Sequence, residues 1–333
     1  MSEEAVSSPL EAIKTAREKI FSQIHRVVVG QDEAIEHIII AILAGGHALL
    51  LGVPGLGKTL LVKSVARMFS LDFKRIQFTP DLMPADIFGS ELIEEDPATG
   101  KRSFRFSPGP LFANIILADE INRTPPKTQA ALLEAMGEQH VTVGGETRPL
   151  PPPFFVLATQ NPVELEGTYA LPEAQLDRFL LNIVLDYLTV EDEMAMVSAT
   201  TGETVPELET IFTGAEIMAL QAIARQVPAA DNVVANAVRL VSATRPTSSL
   251  APALVKEKVK WGAGSRASQA LIMAGKARAL LHGRHHVSTD DVRALAVPVL
   301  RHRVIPNFHA DAAGITSTAI IEALLQSPHV ITQ

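Results

Sequence analysis

The sequence predicts an α/β domain, built as a parallel sheet flanked by helices, followed by a smaller all-helical domain. Up to about residue 187, short apolar runs typical of buried strands alternate with helical patterns. From about residue 211 the patterns are helical alone. The 333 residues are enough for two hydrophobic cores. We therefore assign 1–14 to a flexible N-terminus, 15–187 to the α/β domain, 188–210 to a turn-rich linker and 211–333 to the helical domain.

Composition and charge narrow the class of protein. The net charge of −8 argues against a nucleic-acid partner, and the lack of cysteine excludes disulfides and thiol-ligated metals. The charge is uneven, because ten Lys or Arg stand against three Asp or Glu between Ala251 and Val304. This excess of seven positive charges could meet an acidic neighbour or could form a solvated face.

The start of the chain lacks the charged and apolar regions of a signal peptide. The longest apolar stretch, from Ile38 to Val53, is interrupted by glycines and a histidine and is too short to span a bilayer. We expect a cytoplasmic protein without a membrane span.

A glycine-rich turn between a strand pattern and a helix pattern gives the first chemical signal. The stretch "LLLGVPGLGKTLLVKSVA", residues 49 to 66, matches G-x-x-x-x-G-K-[ST] in full. Glycines let backbone N–H groups curl round an anion, and the helix start directs its positive dipole to the same place. Lys58 would reach the β- and γ-phosphates, and Thr59 would offer a hydroxyl to Mg²⁺. The motif predicts a nucleotide site formed by Gly52, Pro54, Gly55, Leu56, Gly57, Lys58, Thr59 and Leu60.

Two adjacent acids end a later strand pattern. "IILADE" runs from Ile115 to Glu120, and carboxylates are costly to bury without a use. Asp119 would hold Mg²⁺, and Glu120 could polarise the water that attacks the γ-phosphate. Alone the pair would be an ordinary strand end, but downstream of a complete phosphate loop it indicates ATP hydrolysis.

Several motifs in a fixed order now resemble one family. "VVVGQDEAI" at 27–35 precedes the phosphate loop, and "LADEINR" at 117–123, "FFVLATQNP" at 154–162 and "LPEAQLDRFLL" at 171–181 follow it. The chain resembles the MoxR family of AAA+ ATPases from about residue 15 to its end. The resemblance implies a P-loop AAA+ module with a helical lid, and ATP and Mg²⁺ as substrate and cofactor.

The resemblance also implies roles for individual residues. Asn161 matches sensor 1, which places the attacking water, although an Asn in a strand-end turn is the ordinary alternative. Arg178 matches the arginine finger supplied by a neighbouring subunit, which implies a homo-oligomeric ring, commonly a hexamer. Alternatively, Arg178 could pair with an acid of its own helix. Arg266 matches sensor 2, and whether it acts within its own subunit stays open. The adenine pocket is implied at Val29, Gly30 and Gln31, and a role for Arg123 across an interface is a weaker expectation.

Two predicted hairpins narrow the subfamily. The first, at about 91–108, contains the turn signal "DPATG", and the second, at about 139–152, contains Gly144-Gly145. Together they resemble the helix-2-insert clade, which includes magnesium chelatase ATPase subunits. Such hairpins face a pore or a bound partner in the family, although either one alone could be a surface decoration.

The resemblance implies an oligomeric, chaperone-like remodeller of a protein partner, acting in maturation or metal-centre insertion. It also implies a partner with a von Willebrand factor A (VWA) domain, which would be a separate polypeptide. The alternatives are a chelatase-type motor for metal insertion into a tetrapyrrole, a helicase-type motor, and a nucleotide-gated scaffold with little turnover. The histidines at 282, 285 and 286 are interpreted as a loop cluster rather than a metal site.

Overall fold

The computed structural model describes residues 9–53, 55–95, 97, 100, 102–161, 167–200 and 207–331. The strands in chain order are β1 (Ala48–Leu51), β2 (Phe73–Gln77), β3 (Gly89–Glu95), β4 (Arg102–Pro108), β5 (Ile115–Asp119), β6 (His140–Val143), β7 (Glu146–Pro149), β8 (Phe155–Gln160), β9 (Leu181–Val184), β10 (Val259–Trp261) and β11 (Ile305–Pro306). The helices are α1 (Pro9–Ile24), α2 (Asp32–Leu43), α3 (Lys58–Met68), α4 (Pro84–Phe88), α5 (Pro126–Glu138), α6 (Glu173–Leu176), α7 (Val190–Thr200), α8 (Gly214–Gln226), α9 (Asp231–Ala243), α10 (Ala253–Lys258), α11 (Ser265–Leu281), α12 (Thr289–Leu300), α13 (Phe308–Ala312) and α14 (Ser317–Leu325).

The predicted fold class is confirmed. Five strands form one sheet in the order β2-β5-β8-β1-β9, and every neighbouring pair in it is parallel. Because parallel strands end at the same edge, the segments that follow β1, β5 and β8 lie side by side. This edge, called here the carboxyl edge, carries the phosphate loop and the acidic pair.

Alternate residues of each central strand enter different cores, as the period of two requires. Leu50 and Leu117 belong to a core with α1, α2 and α3 that continues without interruption into the C-terminal helices. Leu49 and Ile116 face the opposite side, where they pack with α5 and the second hairpin. The continuous first core means that the lid is packed against the α/β domain rather than held only by a linker.

The C-terminal region is helical except for the antiparallel pair β10–β11. The predicted helix start at Ser288 is confirmed, since its side chain accepts the Asp291 N–H as the N-cap of α12. The Asp291 carboxylate is fully buried and receives hydrogen bonds from Arg278 and Arg284. His282 pairs with Glu36, a carboxylate far away in the sequence.

Three segments differ in detail from the expectations. Helix α1 begins at Pro9, inside the interval assigned to a flexible N-terminus, and proline suits the first turn of a helix. The interval 188–210 contains α7. The hairpin β3–β4 begins at Gly89, two residues before the predicted interval, whereas β6–β7 lies inside its own interval and turns at Gly144 and Gly145, both with positive φ. Much of the turn "DPATG" lies outside the described residues.

No helix among the described residues combines the length and the hydropathy needed to cross a bilayer.

Candidate nucleotide site

The phosphate loop connects β1 directly to α3. Gly55 and Gly57 have φ of 89° and 71°, a left-handed region that glycine adopts without strain. Gly57 is the N-cap of α3 and has no side chain to occupy the first N–H groups of the helix, so these groups can bind an anion. The Lys58 Nζ donates to the Gly52 carbonyl oxygen at 2.7 Å, which directs the amine across the loop. Pro54 lies outside the described residues.

The acidic pair is built around one buried threonine of the neighbouring strand. The Thr159 hydroxyl donates to Asp119 Oδ1 at 2.5 Å and accepts the Glu120 backbone N–H at 2.9 Å. The other oxygen of Asp119 accepts from Arg75 Nε at 3.0 Å and Nη2 at 2.6 Å. The Asp119 side chain is therefore held in a fixed position at the end of β5.

Glu120 leaves the strand in a left-handed conformation, with φ of 57°. This conformation is costly for a residue other than glycine and is kept where the surroundings enforce it. Its Oε2 accepts hydrogen bonds from Gln77 Nε2 and Arg123 Nη1, both at 2.9 Å. The carboxylate is thus held at the surface of the site by groups from β2 and from the turn after β5.

Asn161 directly follows β8 and is buried. In the sheet register Gln160 pairs with Leu51, the last residue of β1. Asn161 therefore lies beside Gly52, where the phosphate loop begins. Lys58, Thr59, Asp119, Glu120 and Asn161 all meet at the carboxyl edge.

A cavity of about 290 Å³ adjoins the loop and is suited in size to a base and sugar. Val29 and Gln31 line it, and the Gln31 side chain donates to the Asp186 carbonyl oxygen at 3.2 Å. Gly30 has φ of 70°, and a Cβ there would lie 2.8 Å from Asp192 Oδ2, so any other residue would be strained at this turn. The loop residues Gly55, Leu56, Gly57 and Leu60 close the cavity from the phosphate side.

Four of the twelve residues that line this cavity lie in segments that were not predicted from the sequence to contribute to it. Tyr187, Leu188, Glu193 and Met196 come from the end of the α/β domain and from α7. Their signal was the helical spacing of apolar residues within "LTVEDEMAMV", in the interval assigned to a linker.

Arg178 and Arg266 lie at the opposite edge of the sheet. Arg178 precedes Leu181, which pairs with the first residue of β1, whereas the phosphate loop follows the last. A four-residue strand spans about 13 Å, so the Arg178 guanidinium cannot reach the loop of its own chain. Arg266 Nη1 lies 3.5 Å from Asp177 Oδ2, which places it beside Arg178.

The two arginines line one cavity of about 250 Å³ together with His47. The Arg178 Nη1 donates to the Leu133 carbonyl oxygen at 3.0 Å, and Asp177 pairs with Arg266 rather than with Arg178. Burial lowers the pKa of His47 to about 4, so the imidazole is neutral at physiological pH. The positive charge of this cavity is therefore that of the guanidinium groups.

Arg303 fixes the segment that carries Arg178, a contact without any local sequence signal. It is buried, and its Nε donates to Asp177 Oδ1 at 2.7 Å while Nη2 donates to the Phe179 carbonyl oxygen at 2.7 Å. Its position after α12 means that the lid and the Arg178 segment are held together by one planar guanidinium.

Comparisons with known proteins agree with this geometry. Residues 47–181 match the family model for the ATPase family associated with various cellular activities (AAA), and residues 251–324 match that for the AAA lid domain. The chain is 43% identical to chaperone MoxR1 of Mycobacterium tuberculosis over 310 residues, covering 93% of this chain and 81% of that protein. It is 42% identical to the uncharacterized protein YeaC of Bacillus subtilis over 316 residues, 95% of each chain. The chain belongs to the MoxR family of AAA+ ATPases.

A solved structure supports the same assignment. A candidate ATPase from Cytophaga hutchinsonii superimposes with a TM-score of 0.86 and 40% identity, over 95% of this chain and 96% of that one. MoxR proteins are chaperone-like ATPases, so nucleotide binding and hydrolysis are the general activity of the family. The glycine loop, the acidic pair and the sheet order are thus those of an AAA+ module.

Proposed function

We propose that this MoxR protein is a Mg²⁺-dependent ATPase whose catalytic site is completed between the subunits of a homo-oligomeric ring. One observation carries the proposal, the separation of the site into two halves. Lys58 and Glu120 lie at the carboxyl edge of the sheet, whereas Arg178 and Arg266 lie together at the opposite edge. A second copy must supply the arginines, and repeated head-to-tail contacts close into a ring, for which the family implies six subunits.

The loop N–H groups and Lys58 bind the phosphates, and the cavity beside Gln31 takes the adenine. The Thr59 hydroxyl and the Asp119 carboxylate are oxygen donors of the kind that Mg²⁺ prefers and would hold the cation, and Arg75 now bonds to one oxygen of that carboxylate. The bound cation would neutralise phosphate charge.

Glu120 accepts a proton from the attacking water, and Asn161 orients that water. The neighbour's Arg178 and Arg266 place two permanent positive charges where negative charge develops on the transferred phosphoryl group.

The work of the ATPase is proposed to be the remodelling of a protein partner. The chaperone name of the Mycobacterium tuberculosis relative supports this role. A partner with a VWA domain, and a task in enzyme maturation or metal-centre insertion, are the specific form that the family resemblance favours. Co-purification of the chain with such a partner, dependent on ATP, would test it.

The experiment for shared catalysis measures ATP hydrolysis against protein concentration. We expect Arg178→Ala and Glu120→Gln to be inactive alone. An equal mixture should recover about a quarter of native activity, because random assembly places an intact arginine opposite an intact Glu120 at one interface in four. The exposed Arg67→Ala serves as the matched control and should behave like the native chain.

Two results would contradict this proposal. If Arg178→Ala keeps native activity at every protein concentration, the site is complete in one chain. If the native chain forms rings without turnover, the protein is a nucleotide-gated scaffold.

A further inference from the structure

Helix α7 carries an exposed apolar stripe. Val190, Met194 and Val197 follow the spacing i, i+4, i+7, which places them on one face, and they are 69%, 67% and 48% exposed. Side chains of this size and spacing usually cover a core. An unburied stripe on a short helix indicates a surface that another molecule covers.

The same helix is strongly acidic and borders the nucleotide cavity. Glu191, Asp192 and Glu193 form its first turn, and no Lys or Arg occurs in its 11 residues. Glu193 lines the cavity, whereas Glu191 is exposed and neighbours Met194 at i, i+3. We call Val190, Glu191, Met194 and Val197 the acidic rim.

The end of the molecule that carries Arg178 and Arg266 has a surface of opposite charge to α7. The seven residues "VKEKVKW" from Val255 to Trp261 contain three lysines and one glutamate. Lys256, Lys260 and Trp261 are exposed, and we call them the basic rim. Within the described part of the chain neither these lysines nor Glu191 form an ion pair.

The basic rim adjoins the paired arginines. Trp261 is 60% exposed and lines a cavity of about 280 Å³ with Asp177 and Arg303. Asp177 is the residue that Arg266 contacts, so Trp261 and the guanidinium groups share one end of the molecule. Tryptophan is enriched among the residues that anchor protein interfaces, and the flanking lysines give this surface its positive charge.

We propose that the acidic rim of one copy docks against the basic rim of the next copy. This rests on the proposed function, because arginines entering a neighbour's nucleotide cavity bring the basic rim to the border of that cavity. There α7 offers the complementary partner, with an apolar stripe for Trp261 and the Glu191 carboxylate, at the acidic start of the helix, for Lys256 and Lys260. The two rims are different patches of the same chain, so the contact is head-to-tail and can repeat around a ring.

The rims therefore set how each subunit is oriented relative to the next one in the assembly. Like charges across such a contact oppose association, and opposite charges select the register. The part of the basic excess that lies on Lys256 and Lys260 thus meets an acidic neighbour, whereas Arg278, Arg284 and Arg303 pair within the chain.

Charge reversal in two separate chains tests the contact. One chain carries Glu191→Lys with Met194→Lys, and the other carries Lys256→Glu with Lys260→Glu. When either chain assembles alone, every interface brings like charges together. We therefore expect the protein concentration needed for half-maximal ATPase activity to rise at least about tenfold. In an equal mixture, alternating subunits make every interface complementary, so half-maximal activity should return to within about twofold of native.

A matched control and an independent readout accompany these measurements. Val234→Lys with Val238→Lys changes two exposed valines on α9, away from both rims, and should assemble as the native chain does. Sedimentation velocity with Mg-ATP reports assembly directly, and circular dichroism confirms that each variant is folded.

The results separate this inference from the proposed function. If the Arg178→Ala and Glu120→Gln mixture recovers activity but the charge-reversed pair does not, subunits share sites without this contact. Native-like assembly of either charge-reversed chain alone would overturn the inference as well, and would leave the rims to another partner. If neither mixture recovers, both proposals fail.

Discussion

The buried carboxylate of Asp291 offers the sharpest test of how the lid is held. Asp291 has no exposed surface, and its oxygens accept from Arg278 at 2.7 Å, from Arg284 at 2.5 and 2.6 Å and from the Ser288 backbone at 2.8 Å. Burial by itself raises the pKa of this carboxyl, but the bonds from Arg284, Ser288 and Arg278 outweigh it and lower the pKa from 3.8 to about 2. The substitution Asp291→Asn removes the charge and keeps the shape.

Two magnitudes follow from this geometry. At pH 7 the variant leaves Arg278 and Arg284 without their carboxylate, and both remain partly hydrated, so we expect a loss of about 2–3 kcal/mol. The lowered pKa adds a pH dependence worth about 2.5 kcal/mol. This contribution is complete above pH ~5, falls by about half by pH 3 and is lost near pH 2, because protons bind the unfolded chain first.

The assay is urea unfolding followed by circular dichroism from pH 7 to pH 3, for the native chain and for Asp291→Asn. We expect the difference in unfolding free energy to shrink by about 1 kcal/mol over this range. Glu36 is present in both proteins and also titrates in acid, since bonds from His282 and Arg17 outweigh its burial and lower its pKa to about 2. It contacts Arg278 as well, so the variant Glu36→Gln is measured alongside. A difference that stays constant with pH would refute the assigned ion pairs.

Three further predictions concern the nucleotide site. Gly57→Ala forces alanine into φ of 71°, so it should lower the stability by about 1 kcal/mol and weaken ATP binding. Gly264→Ala is the control, because Gly264 is also a helix N-cap but has φ of −75° and open space around it. Thermal melting and equilibrium ATP binding are measured for both variants. Thr159→Val leaves Asp119 and the Glu120 N–H without the hydroxyl that bridges them, so kcat should fall at least about tenfold. Thr159→Ser keeps the hydroxyl and should retain activity. An equal loss in both variants would contradict the role of the hydroxyl. Arg303→Lys keeps the positive charge but loses the paired guanidinium N–H donors that bind Asp177 and Phe179. In steady-state kinetics, kcat should therefore fall severalfold while the affinity for ATP is unchanged. A fall in ATP affinity alone would contradict a positioning role.

Local sequence patterns were sufficient to place those site residues that directly follow the central strands. The apolar runs that become β1, β5 and β8 each end in the residues that the chemistry needs, because parallel strands bring their carboxyl ends together. Gly57, Lys58, Asp119 and Asn161 could therefore be placed at one edge from the motif order alone. Their assigned catalytic roles stay predictions.

Contacts between distant segments left no such pattern. Arg75 lies in the edge strand β2 without any motif around it, yet it donates a hydrogen bond to one oxygen of Asp119, 44 residues later. Helix α7 was assigned to a linker because its apolar residues face a cavity and the solvent rather than a core. The position of Arg266 beside Asp177 depends on lid packing, which no local spacing encodes.

The side chain of Arg303 joins the lid to the segment that carries Arg178. Its guanidinium bonds to Asp177, Phe179 and Leu180 on one side and to the Val299 carbonyl oxygen of α12 on the other. The main core also runs from the sheet into α11 and α12. Because buried guanidinium bonds are costly to break without replacement, a displacement of α12 carries the Arg178 segment with it. In the proposed ring, where Arg178 and Arg266 would serve the next subunit, a partner that moves the lid of one subunit would act on the ATP bound by its neighbour.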